Sequence, residues 1–460
     1  KAKDPLIRER ADDLSDVRTR LLRLWFGVGQ KGSLAALDRP VIVAAHDLMP
    51  SDTATMARDK VLAIITESGG ETSHSAILAR SYGIPAILGV EGILSVVHDG
   101  ETVIADAIAG EVITQPAAQE LAKYEKKRTQ YLIRAAEIKT YLSAKPVTLD
   151  GTHIDIELNI GSAQPRELAG TEFTDGVGLF RTEFLYMGCT ALPDEEDQFI
   201  AYKAVLQACG KKPVIIRTLD AGGDKQPECL RLLKEDNPFL GLRALRLCFD
   251  MMPVFKTQLR ALLRASVYGN LWIMFPMVGS LGDIRFAKKI IGEVKMELAA
   301  QSIDYDPDIK IGIMVEIPSI AVMADIAAEE VDFASIGTND LCQYLTAVDR
   351  LNPKVAKYYQ SYHPAMFRLI GSVTEAFKKQ GKPVSVCGEM GGDPIAASIL
   401  IGLGIRKLSM NLSSVASVKK LITGLNIQKS ERMAKTVLGL STAAQVESFL
   451  NSEFVSDSPF

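Results

Sequence analysis

From about residue 147 onward, short apolar runs alternate with helical segments, and this alternation constrains the fold more than any other feature of the chain. The runs fall at 154–160, 177–181, 213–219, 271–277, 311–316, 332–337, 383–387 and 406–410. Eight strands joined by helices predict an α/β fold, a (β/α)8 barrel of the TIM type. An open doubly wound sheet is the alternative. It is disfavoured because no glycine-rich dinucleotide turn follows the first strand.

Polar residues stand where these apolar runs stop. Arg181 closes one strand and is followed by Glu183. Arg217 closes the next and is followed by Asp220. Glu316 ends the run Met314-Val-Glu, Asn339 and Asp340 follow Ile336-Gly-Thr, and Cys387 follows Val384-Ser-Val. Barrel enzymes carry their catalytic residues at the C-terminal strand ends. The residue types suit a small phosphorylated carboxylate. Arg181 and Arg217 offer paired donors to phosphate or carboxylate oxygens. Glu316 and Asp340 are hard oxygen ligands suited to Mg2+. Asn339 can donate to a phosphate oxygen, and Cys387 can give a proton to a carbon centre. Each residue also has a structural alternative: an Arg181–Glu183 ion pair, a helix cap at Asp340, a buried apolar thiol at Cys387. Their recurrence at successive strand ends favours one site.

A smaller unit precedes the barrel. Residues 33–115 read as a compact α/β unit with strands at 41–45, 61–66 and 84–90 and a hairpin over 103–105 and 111–114. Within it GGETSHSAILAR, residues 69–80, sets His74 just past a Gly-Gly turn at the start of a helix. Thr72 or Ser73 can cap that helix. Its positive end disfavours the imidazolium and keeps His74 neutral. The same end would welcome a phosphate on the ring nitrogen. A neutral His that attacks phosphorus is a covalent catalyst, although a lone His after Gly-Gly can also simply cap or pack. Residues 117–143, bounded by Pro116 and Pro146, read as one long charged helix that serves as spacer or hinge. Residues 4–25 read as a further helix whose apolar stripe needs a partner.

Composition narrows the function classes. The net charge of −4 and the absence of a basic stripe argue against nucleic-acid binding. No apolar run is long enough to span a bilayer, and no signal peptide is visible. The six cysteines lack a CxxC pair, which suggests reduced thiols in a cytoplasmic protein.

The motifs GGETSHSAILAR, GVGLFRTEFLYM, RTLDAGGDK, NPFLGLRALR, MVEIPS, IGTNDLCQYLTAVDR and CGEMGGDP resemble, in order, those of Enzyme I of the bacterial sugar phosphotransferase system. That family comprises the phosphoenolpyruvate–protein phosphotransferases, and the resemblance covers nearly the whole chain, including RERADDLSDV at residues 8–17. It implies that the phosphoryl group of phosphoenolpyruvate passes to His74, pyruvate leaves, and the phosphoryl group moves on to a histidine of the carrier HPr. It implies that Thr53 orients the His74 imidazole. It assigns Arg181, Arg217, Arg243, Asn339, Asp340 and Arg350 to phosphoenolpyruvate, Glu316 and Asp340 to Mg2+, and Cys387 to protonation of the enolate. It further implies a cytoplasmic homodimer joined through the barrel.

The domains expected from the resemblance are four. Residues 1–32 are the last helix of an HPr-binding bundle whose remainder is absent, and 33–115 a swivelling phosphohistidine domain. Residues 116–146 are a linker helix, and 147–460 are the phosphoenolpyruvate-binding barrel. The missing bundle helices leave the apolar stripe of residues 6–22 unpartnered and put transfer to HPr at risk. Pyruvate phosphate dikinase and phosphoenolpyruvate synthase share the His domain and barrel, but need an ATP-binding domain not visible here. A dimerising scaffold and a Mg2+-dependent lyase acting on a 2-oxo acid are the readings from other classes.

Overall fold

The computed structural model describes residues 34, 37–48, 56–69, 79, 83–223, 225–352 and 354–455. Thr53, His74 and the helix expected over 4–25 lie outside the described residues. The chain divides into two compact units, residues 1–133 and 134–460.

In the first unit, β1 (Val41–Ala45) and β3 (Ala86–Ile87) flank β2 (Val61–Thr66) in a parallel sheet. The central strand is buried except at Leu62 and Lys60 precedes it, so its apolar run matches its position. The third strand is shorter than the expected 84–90. Pro85 has no N–H to give the ladder, and Gly89 turns the chain at φ 72°. β4 (Val103–Asp106) and β5 (Glu111–Thr114) form the expected antiparallel hairpin. Asp106 fixes its turn by accepting from the amides of Ile108 and Ala109, each at 3.1 Å. Lys127 and Tyr124 of helix α1 (Ala118–Thr140) bond Asp106 and Glu111 of this hairpin. None of the residues of α1 is buried, as its charged composition requires.

The second unit is a closed barrel of eight parallel strands. These are β6 (Asp155–Ile160), β7 (Gly176–Arg181), β8 (Pro213–Arg217), β9 (Asn270–Phe275), β10 (Lys310–Val315), β11 (Phe333–Ile336), β12 (Val384–Val386) and β13 (Lys407–Met410). They pair in sequence order, and β13 closes on β6 with Lys407 opposite Asp155. The helices include α2 (Glu195–Cys209), α3 (Met252–Ala265), α4 (Leu281–Ala300), α5 (Thr338–Thr346) and α6 (Pro364–Lys379). Local signals start several of them. Asp194 caps α2 through the Asp197 amide, and Ser280 with Asp283 forms a capping box on α4. No helix among the described residues is long and apolar enough to cross a membrane.

Strand alternation divides the apolar residues between two cores. Ile156, Leu158, Phe180, Ile216, Ile273 and Phe275 face outward into the shared core with the helices. Leu179, Ile215, Trp272, Met274, Met314, Phe333 and Cys387 fill the lumen. Near the strand starts Trp272 and Phe333 stack with ring centroids 5.0 Å apart, and Lys310 covers Trp272 at 4.2 Å. These rings close the lumen toward the strand starts.

Gly178 lets the lumen close. A Cβ there would lie 2.5 Å from both Glu157 Oε2 and Ser409 Oγ. Gly178→Ala is expected to lower stability by about 1–3 kcal/mol, the range for overpacking a core. Comparing urea unfolding midpoints with those of the parent chain checks this.

Candidate active site at the barrel mouth

Arg181 and Arg217 are register partners on adjacent strands, so both guanidiniums leave the same face of the sheet. Two neighbouring cations need anions. Arg217 Nη2 meets Glu183 Oε1 at 2.7 Å, and its Nη1 meets Asp220 Oδ2 at 2.9 Å. Lys225 Nζ joins the same two carboxylates at 2.7 and 3.1 Å. The ion pair that the sequence suggested between Arg181 and Glu183 is thus replaced by a pair between strands. Burial by itself would neutralise these groups. Asp220 and Glu183 overcome it and hold Arg217 more firmly protonated than usual. Arg217, Arg243 and Lys225 in turn hold Asp220 well below the ordinary carboxylate range.

Arg243 is fully buried beneath this pair. Its Nε and Nη2 donate to Asp220 at 2.9 and 3.2 Å. Its Nη1 and Nη2 donate to Asp340 at 3.1 and 3.2 Å, and Nη1 also meets Tyr344 Oη at 3.3 Å. A guanidinium has five N–H donors, and these five contacts occupy them. Arg243 therefore braces Asp220 and Asp340 and has no donor left over. The AGG sequence makes the brace fit: a Cβ at Gly222, where φ is +106°, would lie 2.8 Å from the Leu242 carbonyl oxygen. Phe239 lies 5.8 Å from the guanidinium carbons of both Arg243 and Arg350.

Two carboxylates border these cations. Asp340 begins α5 and is held ionised against burial by Arg243 and Arg350, the latter at 3.5 Å. Glu316 follows β10. Its Oε1 accepts the Met277 amide at 2.6 Å, whereas its buried Oε2 has no hydrogen-bond partner. Burial, then repulsion from Asp340 and Asp220, pushes Glu316 up to about 8. A buried oxygen without a donor beside a second carboxylate fits a hard divalent cation. At the plugged end His153 lies 3.3 and 3.4 Å from Asp155 and Asp175, and Lys407 meets Asp155 at 2.6 Å. Lys407 supplies this cluster with a cation of its own.

Asn339 Oδ1 accepts the Glu389 amide at 3.0 Å, which leaves its NH2 as the donor end. Cys387 lies in the lumen just below, 3% exposed, and burial pushes its thiol up to about 11. It is a protonated thiol at neutral pH. The structure thus brings Arg181, Arg217, Arg243, Glu316, Asn339, Asp340, Arg350 and Cys387 to one mouth; Thr53 and His74 lie outside the described residues.

Sequence reasoning missed the support under Arg217. Gln258 of α3 donates to Thr182 Oγ1 at 3.2 Å, and Thr182 Oγ1 donates to the Arg217 carbonyl at 2.9 Å. Gln258 also accepts the Leu219 amide at 2.8 Å and meets Tyr202 Oη at 3.1 Å. The available signal was a polar residue on the otherwise apolar face of α3, between Phe255 and Leu259.

Two outcomes follow from the electrostatics. Arg243→Met leaves Asp220 and Asp340 without their shared cation and is expected to cost about 3–5 kcal/mol of stability, as breaking a buried pair does. Arg243→Lys should not rescue it, because an ammonium cannot bridge two carboxylates as a planar fork does; chemical denaturation of both variants decides. Glu316 is shifted upward on folding, so the folded state holds its proton between about 4.5 and 8 and loses stability as pH rises through that window. Glu316→Gln in metal-free buffer should therefore melt above the parent at pH 9 and lose that advantage at pH 5.

Known proteins place this arrangement. Residues 37–110 match the family model described as PEP-utilising enzyme, mobile domain, and residues 135–427 match PEP-utilising enzyme, PEP-binding domain. The chain thus falls among the PEP-utilising enzymes. Proteins named phosphoenolpyruvate-protein phosphotransferase match along 97% of this chain. The Geobacillus stearothermophilus protein is 48% identical and 77% covered. Those of Bacillus subtilis and Staphylococcus aureus are 46% and 45% identical, each 78% covered. The chain belongs to the phosphoenolpyruvate-protein phosphotransferase family, as its motifs implied, and is a phosphotransferase.

Proposed function

We propose that this phosphotransferase moves the phosphoryl group of phosphoenolpyruvate to His74, releases pyruvate, and passes the group to a histidine of HPr, the first step of phosphoenolpyruvate-dependent sugar phosphorylation. One observation carries the reading: two arginines, Arg181 and Arg217, stand in register, and Arg217 lies near the buried carboxylate Glu316 with its unpartnered oxygen. Such a site neutralises a compact trianion, and charge neutralisation is what phosphoryl transfer needs.

In this reading Arg181, Arg217 and Arg350 grip the phosphate and carboxylate, and the Asn339 NH2 donates to a phosphate oxygen. Glu316 and Asp340 hold Mg2+, which when bound polarises the substrate oxygens. Arg243 acts on the substrate through Asp340, whose position it fixes. Thr53 orients the His74 imidazole. A ring nitrogen of His74 attacks phosphorus, and the bridging P–O bond breaks with its electron pair going to the enolate oxygen. Cys387 then gives its proton to C3, and pyruvate forms. Residues 33–115 swing on the helix within 116–146 between the barrel of 147–460 and HPr, and 1–32 contribute the last helix of the HPr-binding bundle. The protein acts as a cytoplasmic homodimer.

Incubation with phosphoenolpyruvate carrying labelled phosphorus, with Mg2+, is expected to label the parent chain in an acid-labile, base-stable linkage. His74→Ala should take up no label. Undiminished labelling of that variant would sink the assignment. Adding HPr to the labelled chain then tests onward transfer.

A further inference from the structure

A basin of about 660 Å³ lies at the strand-start end of the barrel, away from the mouth. His153, Asp175 and Lys212 of its wall stand one or two residues before β6, β7 and β8. Two lysines shape it. Lys212 Nζ donates to the carbonyls of Thr171 and Thr174, each at 2.7 Å. Lys419, on helix α7 (Leu412–Gly424), donates through Nζ to the carbonyls of Leu142 and Phe173, each at 2.7 Å. Phe173 and Thr174 are consecutive, so both ammoniums are held on neighbouring carbonyls. An ammonium has three N–H donors, and each of these keeps one that no hydrogen bond among the described residues takes. Lys145 stands exposed at the rim. Among the described residues none of the three lysines has an ion-pair partner. Asp175 lines the same basin, but its Oδ2 accepts the Ile156 amide at 2.9 Å and its Oδ1 faces His153 Nε2 at 3.4 Å. Glu172 is exposed at the rim. Burial pulls Lys419 below the usual lysine range; Asp175 opposes this and the charge of Lys212 adds to it. Neutral donors would satisfy the same carbonyls, so the carbonyls alone do not explain two neighbouring cations without an anion.

We propose that this basin is a second small-molecule site, which binds a phosphate monoester: the remaining N–H groups of Lys212 and Lys419 take the phosphate oxygens, Lys145 adds its charge from the rim, and the carbon body of the ester lies against Phe173 and Pro146. Lysine binds phosphate as a point charge, so a ligand can be held without the paired geometry that the arginines of the mouth provide. The volume exceeds what a bare oxyanion fills and falls in the range of small-molecule sites. The ligand would tie together three stretches that are remote in the chain, around residues 145, 173 and 212, and helix α7. The proposal does not depend on the phosphoryl-transfer reading, because no residue of the mouth lines the basin.

His153 is a local reporter, since it lines the basin and the chain has only five histidines. In the full chain carrying carbon-13 in its histidine rings, the His153 signal is assigned by its absence from His153→Gln. Glycerol 3-phosphate is added at constant ionic strength, balanced with chloride, at pH 8, where a phosphate monoester is a dianion. The His153 signal is expected to move and saturate while that of His363, which does not line the basin, stays in place. Lys145→Glu spares every carbonyl contact and should raise the half-saturating concentration about tenfold or more, as losing a charge-assisted hydrogen bond does. Lys212→Met and Lys419→Met should abolish saturation, and Lys145→Glu carries the test if they do not fold. Absence of a saturable shift overturns the proposal, as does equal half-saturation in the parent and Lys145→Glu. An equal shift with chloride alone also overturns it, because that is general screening. Inorganic phosphate should bind more weakly than the ester; equal or tighter binding overturns the ester as the ligand and assigns the basin to the free anion.

Discussion

Arg243 is the point on which the barrel mouth depends. Its guanidinium is inaccessible to solvent and joins Asp220, just after β8, to Asp340, at the start of α5. Those loops are far apart in the chain, yet one planar fork holds both in fixed directions. Asp220 is then in place to pair Arg217 and Lys225, and Asp340 to pair Arg350. Arg217, Lys225 and Arg350 are thereby oriented before any substrate arrives. Preorganised charge of this kind need not rearrange during the reaction.

The same network leaves one group out of balance. Among these carboxylates Glu183, Asp220 and Asp340 are all depressed by neighbouring cations, whereas Glu316 is raised; Glu183 and Glu316 each keep a buried oxygen without a donor. Folding by itself gives no reason to bury a carboxylate in that condition. Local conflicts that a fold tolerates without compensation concentrate at functional sites. The imbalance of Glu316 is the strongest physical argument for the cation site proposed there.

Below the mouth the lumen is graded. Trp272 and Phe333 plug the strand starts, apolar residues fill the middle, and a small set of hydroxyls and one amide surrounds Cys387. Strand alternation alone sends every second residue into this space, so sequence suffices to list its occupants. It cannot show that Ser335 lies directly opposite Ser385, because that depends on the register across β11 and β12. Burial then makes the thiol a weak acid.

The sequence by itself determined the eight-strand, helix-alternating barrel, the polar residues at its strand ends and, through long motifs, the family. These are legible because strand period, Gly and Pro punctuation and capping residues act over a few neighbouring positions. The strand boundaries it suggested differ from those observed by one or two residues at most ends, where fraying and Gly or Pro decide. Tertiary structure alone decided which charges pair. Glu183 next to Arg181 in sequence pairs instead with Arg217, 34 positions away, and Arg243 reaches Asp340 across 97 positions. It also decided that Arg243 is a buried brace and that Gln258 supports the Arg217 carbonyl through Thr182. The physical reason is barrel closure: it brings strand ends remote in the chain within hydrogen-bond distance, and in a buried site the nearest opposite charge matters more than the nearest in sequence.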